Sequence, residues 1–350
     1  MGLKEEILEQ GAVLRHLIDT QVPVVEAVVE EIKSHEIDTV FLTARGTSDY
    51  AGLYAKYLWG ASNGLPIALA TPSLFSIYKR PPTLNRTLVL GISQSGQSPD
   101  ILSVVKEGRR QGMPTLAITN APDSPLAETC DFVIDVCAGP ELAVAATKSY
   151  TAELMVIAML SVALGDDGSS DAAERWATLR EVPGWVESML ALDAEIQRMA
   201  ERYRYMNQCV VLGRGYNYGT AHEWALKLKE LTYTVAGPYS SADFRHGPIA
   251  MVAQGFPVFA VAPEGAVFQH MSSLLEELKE QYEVELLALS NRDALLEMAD
   301  TRVKLPTSMP EWVSPIVSIV PAQLFCYHLT RAKGFSTEAP RRLSKVTKTE

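Results

Sequence analysis

In the stretch AHEWALKLKEL, Glu223, Lys227 and Glu230 fall at i, i+4 and i+7. That spacing sets two carboxylates and an ammonium on one face of a helix, with Trp224, Ala225, Leu228 and Leu231 on the other side. A carboxylate held on one face of a substrate can take a proton from one carbon and return it to the next. The same pattern also describes a solvated stripe with a favourable Glu-to-Lys pair, worth a few tenths of a kcal/mol. The helix follows a Gly-rich strand end, which places its first turns near the ligand crevice of a parallel sheet.

Two further groups could move protons or attack a carbonyl. His246 lies in DFRHGP, in a loop between helical patterns, with Gly247 and Pro248 directly after it. A lone histidine is commonly structural, yet a rigid turn that presents a near-neutral titrating group suits acid–base work. Lys345 sits in LSKVT, within a charged tail. Such a tail can be merely frayed, but a lysine drawn from water into a crevice becomes a nucleophile toward carbonyls.

A third candidate is a loop, LVLGISQSGQSPD, from Leu88 to Asp100. Ser98 before Pro99 marks a helix start, with the hydroxyl expected to cap. Ser93, Gln94 and Ser95 add neutral donors, and Gly96 admits a close backbone approach. A helix N-terminus favours an anion, so this loop could hold a phosphate monoester without a cationic side chain. A plain Ser/Gly turn is the alternative. At the matching place of a second copy, AVAPEG carries Pro263 and Glu264, which would repel a phosphate.

That second copy comes from an internal duplication. Gly46 and Gly215, ending DTVFLTARG and QCVVLGRG, are 169 residues apart. Gly96 and Gly265 are also 169 apart, and TLAITN echoes LLALSN at a shift of 171. Each half alternates short β-branched runs with helical patterns, the signature of βαβ units around a parallel sheet. The segments read as an N-terminal helical stretch at 1–36, a first domain at 37–165 and a helical connector at 166–202. A second domain at 203–334 and a tail at 335–350 complete the chain. Trp312 to Lys333 is expected to form one long apolar helix.

Bulk composition narrows the class. The 350 residues are 47% hydrophobic and 21% charged, with a net charge of −11, which argues for a folded enzyme-sized chain and against general nucleic-acid binding. No segment reads as a membrane span, and the N-terminus does not read as a signal peptide. Cys130, Cys137, Cys209 and Cys326 lack CxxC spacing and suit buried thiols in a reducing, cytoplasmic setting. Neither a metal nor a cofactor is expected.

RGTS, SQSGQS, ATKSY, ALKLKE, HGP and PRRLSKVT follow one another in that order. Through them the chain, from about Asp38 onward, resembles the SIS (sugar isomerase) family. The likeness is to the isomerase half of glutamine–fructose-6-phosphate amidotransferases and to single-module glucosamine-6-phosphate deaminases. It implies an α/β fold of two tandem flavodoxin-like SIS domains with parallel sheets, plus N-terminal helices and a C-terminal tail. It also implies a homodimer with its active site near the subunit interface.

By the same resemblance, Ser93, Gln94, Ser95 and Ser98 take the sugar phosphate, with Thr47 and Ser48 nearby. Arg45, Glu223, Ala145 and Thr147 line the rest of the substrate site. Glu230 moves a proton between C1 and C2, and Lys227 lies near the sugar hydroxyls. His246 opens the ring, from the neighbouring subunit in the amidotransferases, and Lys345 forms a Schiff base with the open ketose. Gly2 stands where the amidotransferases carry a cysteine nucleophile, so no glutaminase domain is expected. Arg45 stands where they have Cys and could add a charge the loop lacks, while Asp243 and Arg245 replace Glu and Lys. ARGTSDYAGLYAKYL and the KVTKT ending are closer to the deaminases. The expected reaction converts glucosamine 6-phosphate and water to fructose 6-phosphate and ammonia. A fructosamine-6-phosphate deglycase, a synthase subunit with a separate glutaminase and a non-catalytic sugar-phosphate sensor are the alternatives.

Overall fold

The computed structural model describes residues 2–345. Helices α1 (Leu3–Leu8) and α2 (Gln10–Lys33) lead into β1 (Thr39–Thr43), α3 (Thr47–Asn63) and β2 (Ile67–Leu69). A short α4 (Ser73–Ser76) precedes β3 (Thr87–Ser93), α5 (Pro99–Arg110) and β4 (Thr115–Thr119). Next come α6 (Pro125–Thr129), β5 (Phe132–Asp135), α7 (Lys148–Leu164), α8 (Ser170–Leu190) and α9 (Asp193–Arg202). The second run is β6 (Gln208–Gly213), α10 (Tyr218–Thr232), β7 (Val235–Tyr239), α11 (Ser241–Arg245) and β8 (Pro257–Val261). It closes with α12 (Phe268–Tyr282), β9 (Glu285–Ser290), α13 (Asp293–Met298), β10 (Thr301–Lys304) and α14 (Ser314–Ala332).

Among the described residues, ten strands make two five-stranded parallel sheets, ordered β2-β1-β3-β4-β5 and β7-β6-β8-β9-β10. Both orders are 2-1-3-4-5 within their own half, the flavodoxin-like arrangement whose switch point lies between the first and third strands. The duplication expected from the spacing of Gly46 and Gly215 is therefore a duplication of topology.

Strand composition explains the layering. Every residue of TLVLGIS (β3), TLAIT (β4) and PVFAV (β8) is buried, as continuous apolar runs covered on both faces should be. The outer strands are shorter or alternate: β2 has 3 residues, and β10 reads buried–exposed–buried–exposed. Such edges offer little to a stray strand. On one face of the first sheet, Val89, Ala117, Val104, Val105 and Leu126 form a core cluster. Val258, Ala260, Leu274, Leu278 and Leu286 do so in the second.

The chain divides into two units that interleave along the sequence. One comprises residues 9–141, 148–183 and the tail residues Ser344 and Lys345, around the first sheet. The other comprises residues 2–8, Leu142–Thr147 and Gly184–Leu343, around the second. The leading segment 1–36 is thus shared out. Leu3 and Ile7 of α1 are fully buried in the second-sheet unit, where α1 meets α14. In the first-sheet unit, α2 packs on α7, whose residues Lys148 to Ala163 are all buried. A helix apolar on every side is a core helix.

The long C-terminal helix is present, entered through a 3₁₀ turn at Glu311–Val313. It runs over Ser314–Ala332, inside the Trp312–Lys333 stretch expected from the sequence. Glu311–Ala332 is long and apolar enough to cross a membrane, and its apolar window is wholly buried inside the protein, so it is the core helix of its unit. All four cysteines are free; Cys130, Cys209 and Cys326 are buried, and Cys137 is half-buried. Burial pushes the Cys130 and Cys209 thiols up to about 12, which leaves them unreactive.

Candidate active site

In the first-sheet unit, β3 ends at Ser93 and its loop is pinned at both ends. Asn120 N donates to Gln94 O at 3.2 Å, and Leu126 N donates to Gly96 O at 3.2 Å. Within the loop, Ser93 Oγ accepts from Gly96 N at 3.1 Å and Ser95 Oγ from Gln97 N at 3.4 Å. Gly96 has φ +61°, and a Cβ there would lie 2.0 Å from Ser124 Oγ. Only glycine fits. The helix begins as read, with Ser98 extended and Pro99 in the first turn, but the Ser98 hydroxyl makes no capping bond. Asp100 takes part of that role, its Oδ1 accepting the Ile101 N–H at 2.9 Å.

Arg45, at the end of β1, does not supply a spare charge. Its Nε lies 2.5 Å from Asp100 Oδ2, and the Asp100 side chain is 1% exposed. The guanidinium pairs with a buried carboxylate beside the loop, while half of the Arg45 side chain stays exposed. Thr47 opens α3 after Gly46 at φ +55°. Ser48, next in line, is buried and donates to Glu153 Oε1 at 2.8 Å, which makes it a brace between α3 and α7 more than a ligand.

Lys345 docks within this same unit. Its Nζ lies 2.7 Å from Glu141 Oε2, whose side chain is 0% exposed. Glu141 also accepts from Ser149 N at 3.1 Å and Ser149 Oγ at 2.9 Å. The tail beyond Lys345, including Val346 and Thr347 of PRRLSKVT, lies outside the described residues.

The second-sheet unit carries α10. Here Lys227 Nζ sits 3.3 Å from Glu223 Oε1 and 2.7 Å from Glu230 Oε2. Glu223 and Lys227 are buried, while Glu230 keeps 24% of its side chain exposed, so the solvated-stripe alternative does not hold. Burial pushes Lys227 down, yet the two carboxylates outweigh it and hold the ammonium well above the usual lysine range. Lys227 is thus held in its charged form by the two carboxylates. It orients Glu230, and that carboxylate reaches the outer end of the array.

His246 closes α11 with its N–H on Asp243 O at 3.0 Å, and it is exposed. Gly247 follows at φ +138° and Pro248 starts a 3₁₀ turn, the rigid presentation read from HGP. Ala145 and Thr147 are buried in this unit, where Thr147 O accepts from Gln323 Nε2 on α14 at 3.3 Å. The structure brings Glu223, Lys227 and Glu230 into one hydrogen-bonded array, and gathers Ser93, Gln94, Ser95 and Ser98 on one loop. No hydrogen bond of the described residues joins His246 to Glu230.

Three partners escaped sequence reasoning: Asp100, Glu141 and Glu153. Asp100 could have been suspected as the acid in the first turn after Pro99. Glu141 sits in an irregular segment, AGPELAVAAT, where no periodicity marks it.

The model of the SIS domain matches residues 35–163 and again 203–332. The chain belongs to the SIS domain family. Over 346 residues and 99% of its length, this SIS protein is 33% identical to a glutamine–fructose-6-phosphate aminotransferase (isomerizing) of Pyrococcus horikoshii. It is 35% identical to the one from Thermococcus kodakarensis over 351 residues. The match spans 57% and 58% of those relatives' own lengths. Among solved structures, the C-terminal domain of the Francisella tularensis glucosamine-fructose-6-phosphate aminotransferase superposes with a TM-score of 0.88 at 27% identity. That superposition covers 96% of this chain and 98% of that one. A glucosamine-6-phosphate deaminase from Thermotoga maritima shares the fold, with a TM-score of 0.80 at 23% identity and 99% coverage of both chains.

Proposed function

We propose that this SIS protein is an amino-sugar-phosphate isomerase that releases ammonia from glucosamine 6-phosphate, leaving fructose 6-phosphate. The observation that carries this reading is the α10 array, in which buried Lys227 and Glu223 hold the partly exposed Glu230 carboxylate in place. Homology to proteins named as isomerizing aminotransferases supports the substrate class.

In this reading the SQSG loop binds the phosphate through backbone and hydroxyl donors, and His246 assists ring opening. Glu230 takes the proton from C2 of the open aldose, giving an enolamine, and returns it to C1. The product is a ketose with a protonated imine at C2. Lys345 attacks C2, ammonia leaves, and water hydrolyses the lysine imine to free the ketose. Lys227 stabilises negative charge gathered on the sugar oxygens while Glu230 is at work. A homodimer and a cytoplasmic location belong to the same proposal.

A second reading is favoured by the identity levels, since among the solved structures the aminotransferase domain is at 27% and the deaminase at 23%. In it the chain is the isomerase half of a synthase fed by a glutaminase. Ammonia and fructose 6-phosphate are to be measured from purified protein given glucosamine 6-phosphate and no glutamine. Both products in equal amounts support the deaminase. Synthesis of glucosamine 6-phosphate only when glutamine and a glutaminase are supplied supports the second reading.

A further inference from the structure

Glu141 has no part in the mechanism above, yet it is the carboxylate that Lys345 touches. Its side chain is wholly buried, and Ser149, in the first turn of α7, fixes it through both N–H and hydroxyl. The neighbouring cation on that helix, Lys148, pairs with Glu9 at 2.6 Å. Glu141 Oε2, which also accepts from Ser149 Oγ at 2.9 Å, lies 2.7 Å from the Lys345 nitrogen. An ammonium has no lone pair and cannot attack carbon, so an imine-forming lysine needs a proton acceptor at that distance.

We propose that Glu141 is the proton partner of Lys345, taking a proton to release the amine and returning it to expel water. The inference rests on Lys345 as the imine-forming lysine. The Lys345 ammonium gives a proton to Glu141 Oε2. The amine then attacks C2 of the ketose, forming the C–N bond while the C=O pair moves to oxygen. That oxygen takes a second proton from the nitrogen, which yields a neutral carbinolamine. Glu141 returns its proton to the hydroxyl, which departs as water, and the nitrogen lone pair closes the protonated imine. Glu141 thus acts on Lys345 and on the departing hydroxyl, and it ends the cycle as a carboxylate.

Reductive trapping tests this. Purified full-length protein is treated with fructose 6-phosphate and cyanoborohydride, and the adduct on Lys345 is followed by mass spectrometry. Glu141→Gln keeps the shape and can still accept from Ser149, but it cannot take a proton. Trapping is expected to slow by about 10²–10³-fold. Glu141→Ala should be slow as well and should recover as formate is added, because a small carboxylate can fill the gap. Trapping by Glu141→Gln at or above the wild-type rate would show that the pair only docks the tail, and would overturn the proposal. Glu141→Ala that ignores formate would overturn it too. A wild-type protein that turns over substrate without any adduct on Lys345 removes the lysine reading itself, and the role of Glu141 with it.

Discussion

Arg45 Nε lies 2.5 Å from Asp100 Oδ2, so this cation beside the SQSG loop is paired with a carboxylate withdrawn from solvent at the start of α5. A phosphate bound there would meet neutral donors and a helix N-terminus, with Arg45 shielding it from Asp100. Half of the Arg45 side chain is exposed, so the pair is screened and its contribution is modest.

Arg45→Met should therefore weaken fructose 6-phosphate binding by about tenfold, or ~1.4 kcal/mol, through the uncovered Asp100 charge. Adding Asp100→Asn in the same chain should restore affinity by titration calorimetry. If the double variant stays weak, Arg45 contacts the phosphate itself.

Removing the cation of α10 has a different signature. Lys227→Met leaves Glu223 buried and without its ammonium, which costs about 3–5 kcal/mol of stability. Urea unfolding should show that loss, together with loss of activity. A variant with unchanged midpoint would mean that Glu223 is better solvated than its burial implies.

The loop glycine is tested by one methyl group. Gly96→Ala puts a Cβ into Ser124 at a positive φ, where backbone strain alone runs at about 1–3 kcal/mol. Sugar-phosphate binding should fall with stability, while Gly60→Ala, at an exposed position of α3 with open space around it, should leave binding unchanged and raise stability by about 0.5–1 kcal/mol.

Acid sensitivity should involve His222. Burial, helped by Lys229, pushes its imidazole down to about 4 from an ordinary 6.5. As pH falls, the unfolded chain takes up this proton first, so the His222 contribution is present above 6.5 and is lost between 6.5 and about 4. His222→Phe keeps a ring beside Tyr218, which the native imidazole meets edge-on at 4.5 Å, and does not titrate. Its unfolding free energy should drop less between pH 7 and pH 5, by on the order of 1 kcal/mol after screening. Parallel slopes for the two proteins would contradict this.

How much of this was legible in the sequence depends on the range of the interaction. The α10 bounds Tyr218–Thr232, the turns at Gly46 and Gly215 just past β1 and β6, and the doubled topology follow from local periodicity and from a repeat of 169 residues. Burial of the α10 face followed from its place after a strand end. The break at Glu9, which sends α1 and α2 to different units, left no trace because both segments are helical and amphipathic. Ion pairs were the least legible. Arg45–Asp100 spans 55 positions, Ser48–Glu153 spans 105 and Glu141–Lys345 spans 204, and no periodicity reports a partner that far away. For the same reason Ser98 was read as a cap and Arg45 as a spare charge, since the competing Asp100 shows its role only in three dimensions.

The most direct test of Glu230 as the proton carrier is to run glucosamine 6-phosphate with the protein in D₂O and follow C1 of the product by NMR. The expected result is fructose 6-phosphate with ammonia, carrying deuterium or transferred protium at C1, and at least a hundredfold loss of both in Glu230→Gln with sugar-phosphate binding retained. A Glu230→Gln variant that still isomerises at the wild-type rate, or a folded wild-type protein that binds the sugar phosphate and changes neither C1 nor C2, would contradict it.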